Sequence, residues 1–382
     1  MIQVGLVGVG PQWERYHPAL SRLRRPIHVE AVYDPVFARA ESAARDLDAD
    51  PVHGIRALAA RGNVEAILVM DPTWTRPSIL PLLARQEKPV FFAASLLDGS
   101  DCHQQLKSLQ TDSDGLIMPA MWRRFMPAAI RLQELIATEL GRPQEITIDL
   151  AGQTSFHSYA IAQADATAQK SVPDGVAVPT LESIVGWLDF CRNLFRAFPV
   201  SASLSPAAAA STSTPSAQLL ELRIVYPQAG RAADPQGAKR SAEQPGNLRQ
   251  PTARLLIKQD DDGSDNAAAS QFSAASFMRH LLNTDEHSPI IVAPSATVVV
   301  PPEFPKISLR CERGTAEMAS ETQIRWQSNS LDPVEETLAS ERTKEEIMLD
   351  IFCRRVVGGL IPVADLNDIL KPLQLLRSCL EA

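Results

Sequence analysis

Two hydrophobic periods alternate over roughly the first 120 residues of the chain. Short apolar runs rich in β-branched residues predict strands at Ile2–Val9, His28–Tyr33, Val64–Met70 and Pro89–Phe92. Between them, apolar residues recur every three to four positions, which predicts helices at Trp13–Arg24, Pro35–Asp46 and Ser78–Arg85. Strands that alternate with helices in this way form βαβ units, so we expect a doubly wound parallel sheet of the Rossmann type.

The pattern changes in the rest of the chain. Helices are predicted at Pro127–Leu140, with Gly141 as a C-cap, and at Thr343–Val357 and Val363–Leu380. Strand-like runs separated mainly by turns lie at Glu145–Leu150, Leu219–Val225, Arg254–Ile257, Ile290–Val300, Lys306–Glu312 and Gln323–Trp326. Strands joined by turns pair antiparallel, so we expect a second α/β domain with a large, mostly antiparallel sheet.

The length of 382 residues exceeds one ordinary domain. We therefore place one domain over residues 1–120 and a second over residues 121–382. Within the second, 205–218 and 227–252 are rich in Pro, Ala, Ser, Gly and Gln and poor in apolar residues. Such segments bury too little surface to offset their ordering entropy, so we expect both to be mobile insertions.

Charge and composition argue against several classes of protein, including nucleic-acid-binding and membrane-spanning proteins. The net charge of −8 opposes a nucleic-acid-binding surface, and no apolar stretch is long enough to predict a membrane helix. Five scattered cysteines without a CxxC pair disfavour a disulfide framework, and no metal site follows from the spacing. The apolar N-terminus lacks the basic region and cleavage site of a signal peptide. We expect a cytoplasmic protein that handles small molecules.

A glycine turn is the most informative local motif. Gly8 and Gly10 follow the first predicted strand and precede the first helix, where a pyrophosphate can approach the backbone at a helix N-terminus. Asp34 ends the second strand, and a carboxylate there can accept hydrogen bonds from a ribose diol and repel a 2′-phosphate. We therefore expect NAD rather than NADP. The predicted cofactor-binding residues are Gly8, Gly10, Pro11, Gln12, Trp13 and Asp34.

Trp13 occupies the position where a third glycine would stand. This departure leaves open an alternative, a Rossmann-type domain whose nucleotide pocket has been vacated.

Several segments follow one another in a distinctive order. They are VGLVGVGPQWERYHPAL, VEAVYDPVFARAESAA, NVEAILVMDP, ARQEKPVFFAASL, VPTLESIVGWLDFCRNLF and ISLRCERGTAEM. In this order and spacing the chain resembles the Gfo/Idh/MocA oxidoreductases, whose namesakes include glucose-fructose oxidoreductase and inositol dehydrogenase. The resemblance covers most of the chain.

The resemblance implies a Rossmann domain followed by a C-terminal α/β domain, and hydride transfer between NAD(P) and a sugar, polyol or related hydroxy compound. It also implies a homo-oligomer that assembles through the open face of the second sheet. The family's Thr-Pro pair near the cofactor corresponds to Asp71 and Pro72, which we add to the predicted cofactor-binding residues.

The family's usual catalytic residues are replaced in this chain. Its Glu-Lys-Pro motif after the fourth strand corresponds to Ala93, Ala94 and Ser95, so the lysine becomes alanine. Its catalytic helix motif places Gly186 where the acid/base histidine would stand. Because alcohol oxidation needs a group that takes the hydroxyl proton, we expect the ordinary family reaction to be severely impaired.

Three side chains are candidates for that proton transfer. Glu182 and Asp189 lie two helical turns apart, so both could reach the cleft. Alternatively, Glu182 caps the helix and Asp189 pairs with an arginine. His157, near Tyr159, is the third candidate, and an exposed loop histidine is the alternative.

Other side chains have both a functional and a structural interpretation. Arg123 and Arg124 could clamp an anionic substrate or form a domain-joining ion pair. Trp122 and Trp187 could line a pocket or belong to the core. His17 could touch the cofactor edge or simply pack.

These observations favour an NAD(P)-dependent oxidoreductase with altered catalytic residues. The alternative is a catalytically inactive homologue that acts as a nucleotide or ligand sensor or as an assembly subunit.

Overall fold

The structure is a computed structural model. It describes residues 1–71, 79, 81–83, 85, 87–94, 96–97, 102–112, 115–150, 181–206, 217–227, 250–260, 304–329 and 332–381. The chain divides into two compact units. The first comprises Met1–Phe125 and Ser340–Leu370, and the second comprises Met126–Ala339 and Lys371–Ala382.

The elements are numbered in chain order. The helices in the described residues are α1 (Pro11–Leu20), α2 (Phe37–Leu47), α3 (Ile55–Ala59), α4 (Cys102–Asp112), α5 (Pro127–Leu135), α6 (Leu181–Phe195), α7 (Lys344–Val356) and α8 (Asn367–Glu381). A 3₁₀ turn spans Trp122–Phe125, and a π-helical turn spans Ile136–Leu140. The strands are β1 (Ile2–Val7), β2 (Ile27–Tyr33), β3 (Asp50–Pro51), β4 (Ala66–Val69), β5 (Val90–Phe92), β6 (Ile117–Pro119), β7 (Pro143–Asp149), β8 (Ser201–Pro206), β9 (Ala217–Val225), β10 (Thr252–Asp260), β11 (Lys306–Cys311), β12 (Gly314–Met318), β13 (Gln323–Ser328) and β14 (Val334–Thr337).

The first unit contains a six-stranded sheet in the order β3-β2-β1-β4-β5-β6, with every pair parallel. All four residues of β4 are buried, as are all three of β5, which is typical of strands covered on both faces. This confirms the predicted Rossmann-type sheet. The order reverses at β1, since β2 lies on one side of it and β4 on the other.

The first unit also includes Ser340–Leu370, which the sequence pattern placed in the second domain. Helix α7 packs against α1 and adds Met348 and Phe352 to the core around β1 and β5. Arg15 pairs with Glu345 at 3.0 Å, and Arg22 pairs with Glu346 at 3.1 Å. The helix that follows the glycine turn is therefore held by a segment more than 300 residues away in sequence.

The second unit contains an eight-stranded sheet in the order β14-β13-β12-β11-β7-β10-β9-β8. Only β7 and β10 pair parallel, so the prediction of a mostly antiparallel sheet is confirmed. Strands β11, β12 and β13 alternate between buried and solvent-facing residues, as expected when one face of a sheet covers a core.

Most predicted elements within the described residues are present with shifted ends. Helix α1 begins at Pro11 rather than Trp13, because proline is well suited to the first helical position. Strands β3, β8 and β14 were not predicted, because they are short or polar and carry little apolar signal. Gly141 follows the π-helical turn with φ of 73°, in agreement with its predicted capping role.

Several predictions lie wholly or largely outside the described residues. These are the strand Ile290–Val300 and the central parts of the insertions 205–218 and 227–252. Of the helix predicted at Ser78–Arg85, residues 79 and 81–83 are described and helical. The ends of those insertions lie in strands, since β8 extends to Pro206 and β9 begins at Ala217.

Candidate functional site

The glycine turn lies at the point where the strand order of the parallel sheet reverses. It connects the carboxyl end of β1 to α1, and β1 lies between β2 and β4. Ligands of doubly wound sheets bind at such a switch point, outside the carboxyl ends of the strands. The predicted cofactor residues Gly8 to Trp13, Asp34 and Asp71 come together here.

Gly8 and Gly10 both lie close to Asp71. Gly8 has φ of +83°, and a Cβ there would overlap the Asp71 carbonyl group. A Cβ on Gly10 would come within 2.9 Å of the Asp71 carboxyl carbon. Position 8 therefore excludes larger residues, because the chain that leaves β4 passes beside it at Asp71, which the sequence alone could not show.

The carboxylate of Asp71 caps the start of α1. Its Oδ2 atom accepts hydrogen bonds from the backbone N–H groups of Gln12 at 3.0 Å and Trp13 at 3.3 Å. The first N–H groups of a helix have no partner within the helix and attract anions. Pro11, at the first helical position, lacks an N–H group.

Burial raises the pKa of Asp71 above its usual value. The hydrogen bonds from Trp13, Gln12 and Gly10 act in the opposite direction, and the nearby charge of Asp34 raises the pKa further. Two carboxylates thus lie close together at one end of the sheet.

Asp34 is also engaged by the protein backbone. Its side chain is 4% exposed, with Oδ2 accepting from the Val9 N–H and Oδ1 from the Val36 N–H, both at 2.8 Å. Gly8 donates its N–H to the Tyr33 carbonyl oxygen at 2.8 Å. The carboxylate that was predicted to bind a ribose therefore fastens the glycine turn to the end of β2.

Trp13 is mostly buried and belongs to the hydrophobic core of the first unit. It is 6% exposed and packs in the same cluster as Tyr16 and Phe91. His17 lies exposed one turn later, its ring 4.9 Å from that of Trp13. The indole occupies volume that a third glycine would leave empty.

A cleft of about 500 Å³ opens between α1 and α2 beside the turn. Its lining residues are Val9, Gly10, Pro11, Trp13, Glu14, His17, Arg39, Ser42, Ala43, Asp46 and Leu47. The lining residues of α2 were not predicted from the sequence, although Arg39, Ser42 and Asp46 recur at helical spacing and so share one face.

The positions of the replaced catalytic residues are both described. Ala94 is partly buried after β5, and Gly186 is buried within α6. Asp189 is only 1% exposed and lies 3.8 Å from Arg192, whereas Glu182 is exposed at the start of the same helix. The two carboxylates thus differ sharply in solvent access. His157, Tyr159 and Pro72 lie outside the described residues.

The arginine and tryptophan candidates have structural contacts. Arg124 pairs with Asp368 at 2.7 Å within the first unit. Trp122 lies beneath two cations, Arg123 at 4.5 Å and Lys344 at 4.2 Å from the ring centre. Trp187 is 1% exposed and belongs to the core of the second unit.

Comparison with known families agrees with this geometry. Residues 2–93 match the Gfo/Idh/MocA model, described as an oxidoreductase family with an NAD-binding Rossmann fold. Residues 2–93 are therefore similar to the NAD-binding domain of the Gfo/Idh/MocA oxidoreductases. The resemblance inferred from the sequence is confirmed for this domain, whose matched segment contains the glycine turn, Asp34 and Asp71.

Solved structures extend the likeness of fold over the whole chain. UDP-N-acetylglucosamine 3-dehydrogenase from Acidithiobacillus ferrooxidans is 14% identical, with a TM-score of 0.60 over 100% of this chain and 97% of that one. Aldose-aldose oxidoreductase from Caulobacter crescentus is 12% identical, with a TM-score of 0.62 over 100% and 97%. Biliverdin reductase from Synechocystis, solved with biliverdin and NADP⁺, is 13% identical, with a TM-score of 0.58 over 100% and 98%. No curated protein sequence matches the chain.

The described residues contain no helix of the length and apolar character that a bilayer crossing requires. Nor do they bring three or more His, Cys, Asp or Glu side chains together as a metal site.

Proposed function

We propose that the protein is an NAD(P)-dependent oxidoreductase of the Gfo/Idh/MocA type that acts on a sugar, polyol or related small hydroxy compound. The observation that carries this proposal is the glycine turn at the switch point of a parallel sheet, within the segment that matches the family's NAD-binding domain. The names of two similar structures, which refer to UDP-N-acetylglucosamine and to aldoses, support the substrate class.

The proposed cofactor is NAD, with NADP less favoured; when bound, it would supply the hydride acceptor or donor. The negative charge of Asp34 at the end of β2 supports NAD, because it opposes a 2′-phosphate. In the described conformation, however, the turn does not fit a dinucleotide pyrophosphate. Asp71 already occupies the N–H groups of Gln12 and Trp13 that would bind it.

The proposed acid/base candidates are Glu182, His157 and Asp189. Glu182 has the solvent access that proton exchange requires, whereas the 1% exposure of Asp189 and its position 3.8 Å from Arg192 support a structural role. Ala94 and Gly186 have no titratable side chain. We therefore expect turnover slower by roughly 10²–10⁴ than with a positioned acid/base.

A second candidate is a catalytically inactive homologue that senses a nucleotide or another small ligand, or serves as an assembly subunit. Ala94, Gly186 and the occupied N-terminus of α1 favour it, since each removes a feature that turnover needs.

We also propose that the protein is a cytoplasmic homo-oligomer. It associates through the second sheet and binds neither nucleic acid nor membranes. Ion pairs cross that sheet from Arg254 to Glu221 at 2.7 Å and from Arg310 to Glu145 at 3.0 Å. Because these groups are partly exposed, an interface on this face would be polar.

Calorimetric titration with NAD⁺, NADH, NADP⁺ and NADPH tests the cofactor, and turnover of a panel of sugars and polyols tests the reaction. Binding of one of these dinucleotides with measurable turnover is expected for the oxidoreductase. Binding without any turnover favours the sensor, and no binding at millimolar concentration to the wild-type chain or to Asp71→Asn rejects the dinucleotide proposal. If the catalytic positions are vestigial, the double variant Ala94→Lys/Gly186→His should gain activity over the wild-type chain.

A further inference from the structure

The glycine turn is saturated by the protein's own acceptors. Asp34 binds the Val9 N–H, and Asp71 binds the N–H groups of Gln12 and Trp13. The Gly8 N–H donates to Tyr33 and the Glu14 N–H to Gly10, while proline at position 11 has no N–H group. The donors that a Rossmann turn offers to a pyrophosphate are thus already used.

We propose that Asp71 is an intramolecular competitor of the dinucleotide pyrophosphate, and that its carboxylate must leave the start of α1 before a dinucleotide can bind. This inference rests on the proposed function, because it concerns the same cofactor site. A carboxylate and a pyrophosphate are both anions that accept hydrogen bonds from these N–H groups, and one helix N-terminus cannot satisfy both.

The geometry leaves no room for the two anions side by side. A single added methyl group on Gly10 would lie 2.9 Å from the Asp71 carboxyl carbon and 3.0 Å from Oδ2. A phosphate group approaching Gly10 would therefore meet the carboxylate itself, with like charges in contact.

Asp71 is the carboxylate suited to move, and Asp34 is not. Asp34 is 4% exposed and binds N–H groups on both sides of its own strand end, which fixes both of its oxygens. Asp71 is only partly buried, and one oxygen, Oδ2, serves both Gln12 and Trp13, while Gly10 adds a third backbone contact. A side-chain rotation can release it while the turn keeps its shape.

The test compares NADH binding to the full-length wild-type chain, Asp71→Asn and Glu41→Gln at one pH and salt concentration. Asp71→Asn keeps the size of the side chain and removes its charge. Glu41→Gln removes one exposed carboxylate of α2 that does not line the cleft, and so controls for net charge. We expect Asp71→Asn to bind NADH at least tenfold more tightly than wild type, and Glu41→Gln to remain within twofold.

The competitor role is overturned if wild type binds NADH measurably and Asp71→Asn, with an unchanged melting temperature, binds it equally or more weakly. That result leaves the proposed function intact. Absence of NADH and NADPH binding by all three proteins overturns the proposed function and the competitor role with it.

Hydrogen exchange tests the contact without any nucleotide. The Gln12 and Trp13 amides should exchange at least tenfold faster in Asp71→Ala than in wild type, and Glu41→Ala should leave them unchanged. Equal exchange in Asp71→Ala and wild type overturns the contact on which the inference rests.

Discussion

Asp71 accepts a hydrogen bond from the backbone N–H of Gln12 at 3.0 Å, across 59 positions of sequence. This contact places a carboxylate from the end of β4 on the first turn of the helix that follows the glycine turn. It links the end of β4 to the helix that follows β1.

Replacement of Asp34 tests whether that carboxylate is structural. Asp34→Ala leaves the N–H groups of Val9 and Val36 without their acceptor in a buried site. We expect the free energy of unfolding in urea to fall by about 2–3 kcal/mol. Glu41→Ala, at an exposed position of α2, should change it by less than about 0.5 kcal/mol. An Asp34→Ala protein as stable as Glu41→Ala would show that Asp34 does not fasten the turn.

Replacement of Trp13 tests its assignment to the core. Trp13→Gly restores the glycine of the usual motif but removes a side chain that is 6% exposed, so the cost should be about 4–5 kcal/mol. His17→Ala removes only an exposed ring that lies tilted by 31° against the indole, and it should cost about 1 kcal/mol or less. Thermal unfolding of both variants measures the difference. Similar losses for the two would contradict the core assignment.

The capping of α7 provides a third prediction. The Thr343 hydroxyl accepts a hydrogen bond from the Glu346 N–H at 3.2 Å, and α7 packs on α1. Thr343→Ala should lower the free energy of unfolding by about 1 kcal/mol, whereas Thr343→Ser keeps the acceptor and should remain close to wild type. Chemical denaturation distinguishes them, and equal stability of the alanine and serine variants would rule out the cap.

Acid stability of the second unit should depend on Glu336. Hydrogen bonds from Arg131 lower its pKa, and Trp326 donates to the same carboxylate. A carboxyl group whose pKa is lower in the folded state stabilises the fold above its unfolded value and loses that contribution as the pH falls through the folded value. Glu336→Gln should therefore flatten the decline of the unfolding free energy between about pH 5 and pH 3.

The matched control for this prediction is Glu139→Gln, at an exposed position of the π-helical turn. It should keep the wild-type pH profile. A Glu336→Gln profile that coincides with wild type would contradict the stabilising role of the Arg131 pair.

The sequence predicts the scaffold of the site well, because local periodicity and turn chemistry determine it. The strand Ile2–Val7, the turn at Gly8 and Gly10 and the position of Asp34 at the end of β2 all follow from pattern. The sequence pattern does not show which backbone N–H groups of the turn are already hydrogen-bonded. Those bonds depend on atoms brought together by the sheet, so no periodicity reveals that Asp71 reaches Gln12.

The burial of Trp13 and the packing of α7 on α1 also depend on tertiary contacts that the sequence pattern does not show. A tryptophan at a glycine position signals a departure from the motif, but only tertiary packing shows that its ring fills the core around Phe91. Likewise, Glu345 and Glu346 appear as ordinary charges in the sequence, and the ion pairs with Arg15 and Arg22 join them to a helix at the other end of the chain.

We propose that the start of α1 is a dinucleotide site whose N–H groups are occupied by Asp71. A crystal structure of Asp71→Asn grown with NADH is the most direct test of this proposal. We expect pyrophosphate density with oxygens about 3 Å from the N–H groups of Gln12 and Trp13. The proposal would be contradicted if crystals grown at a saturating NADH concentration showed no phosphate beside these two N–H groups.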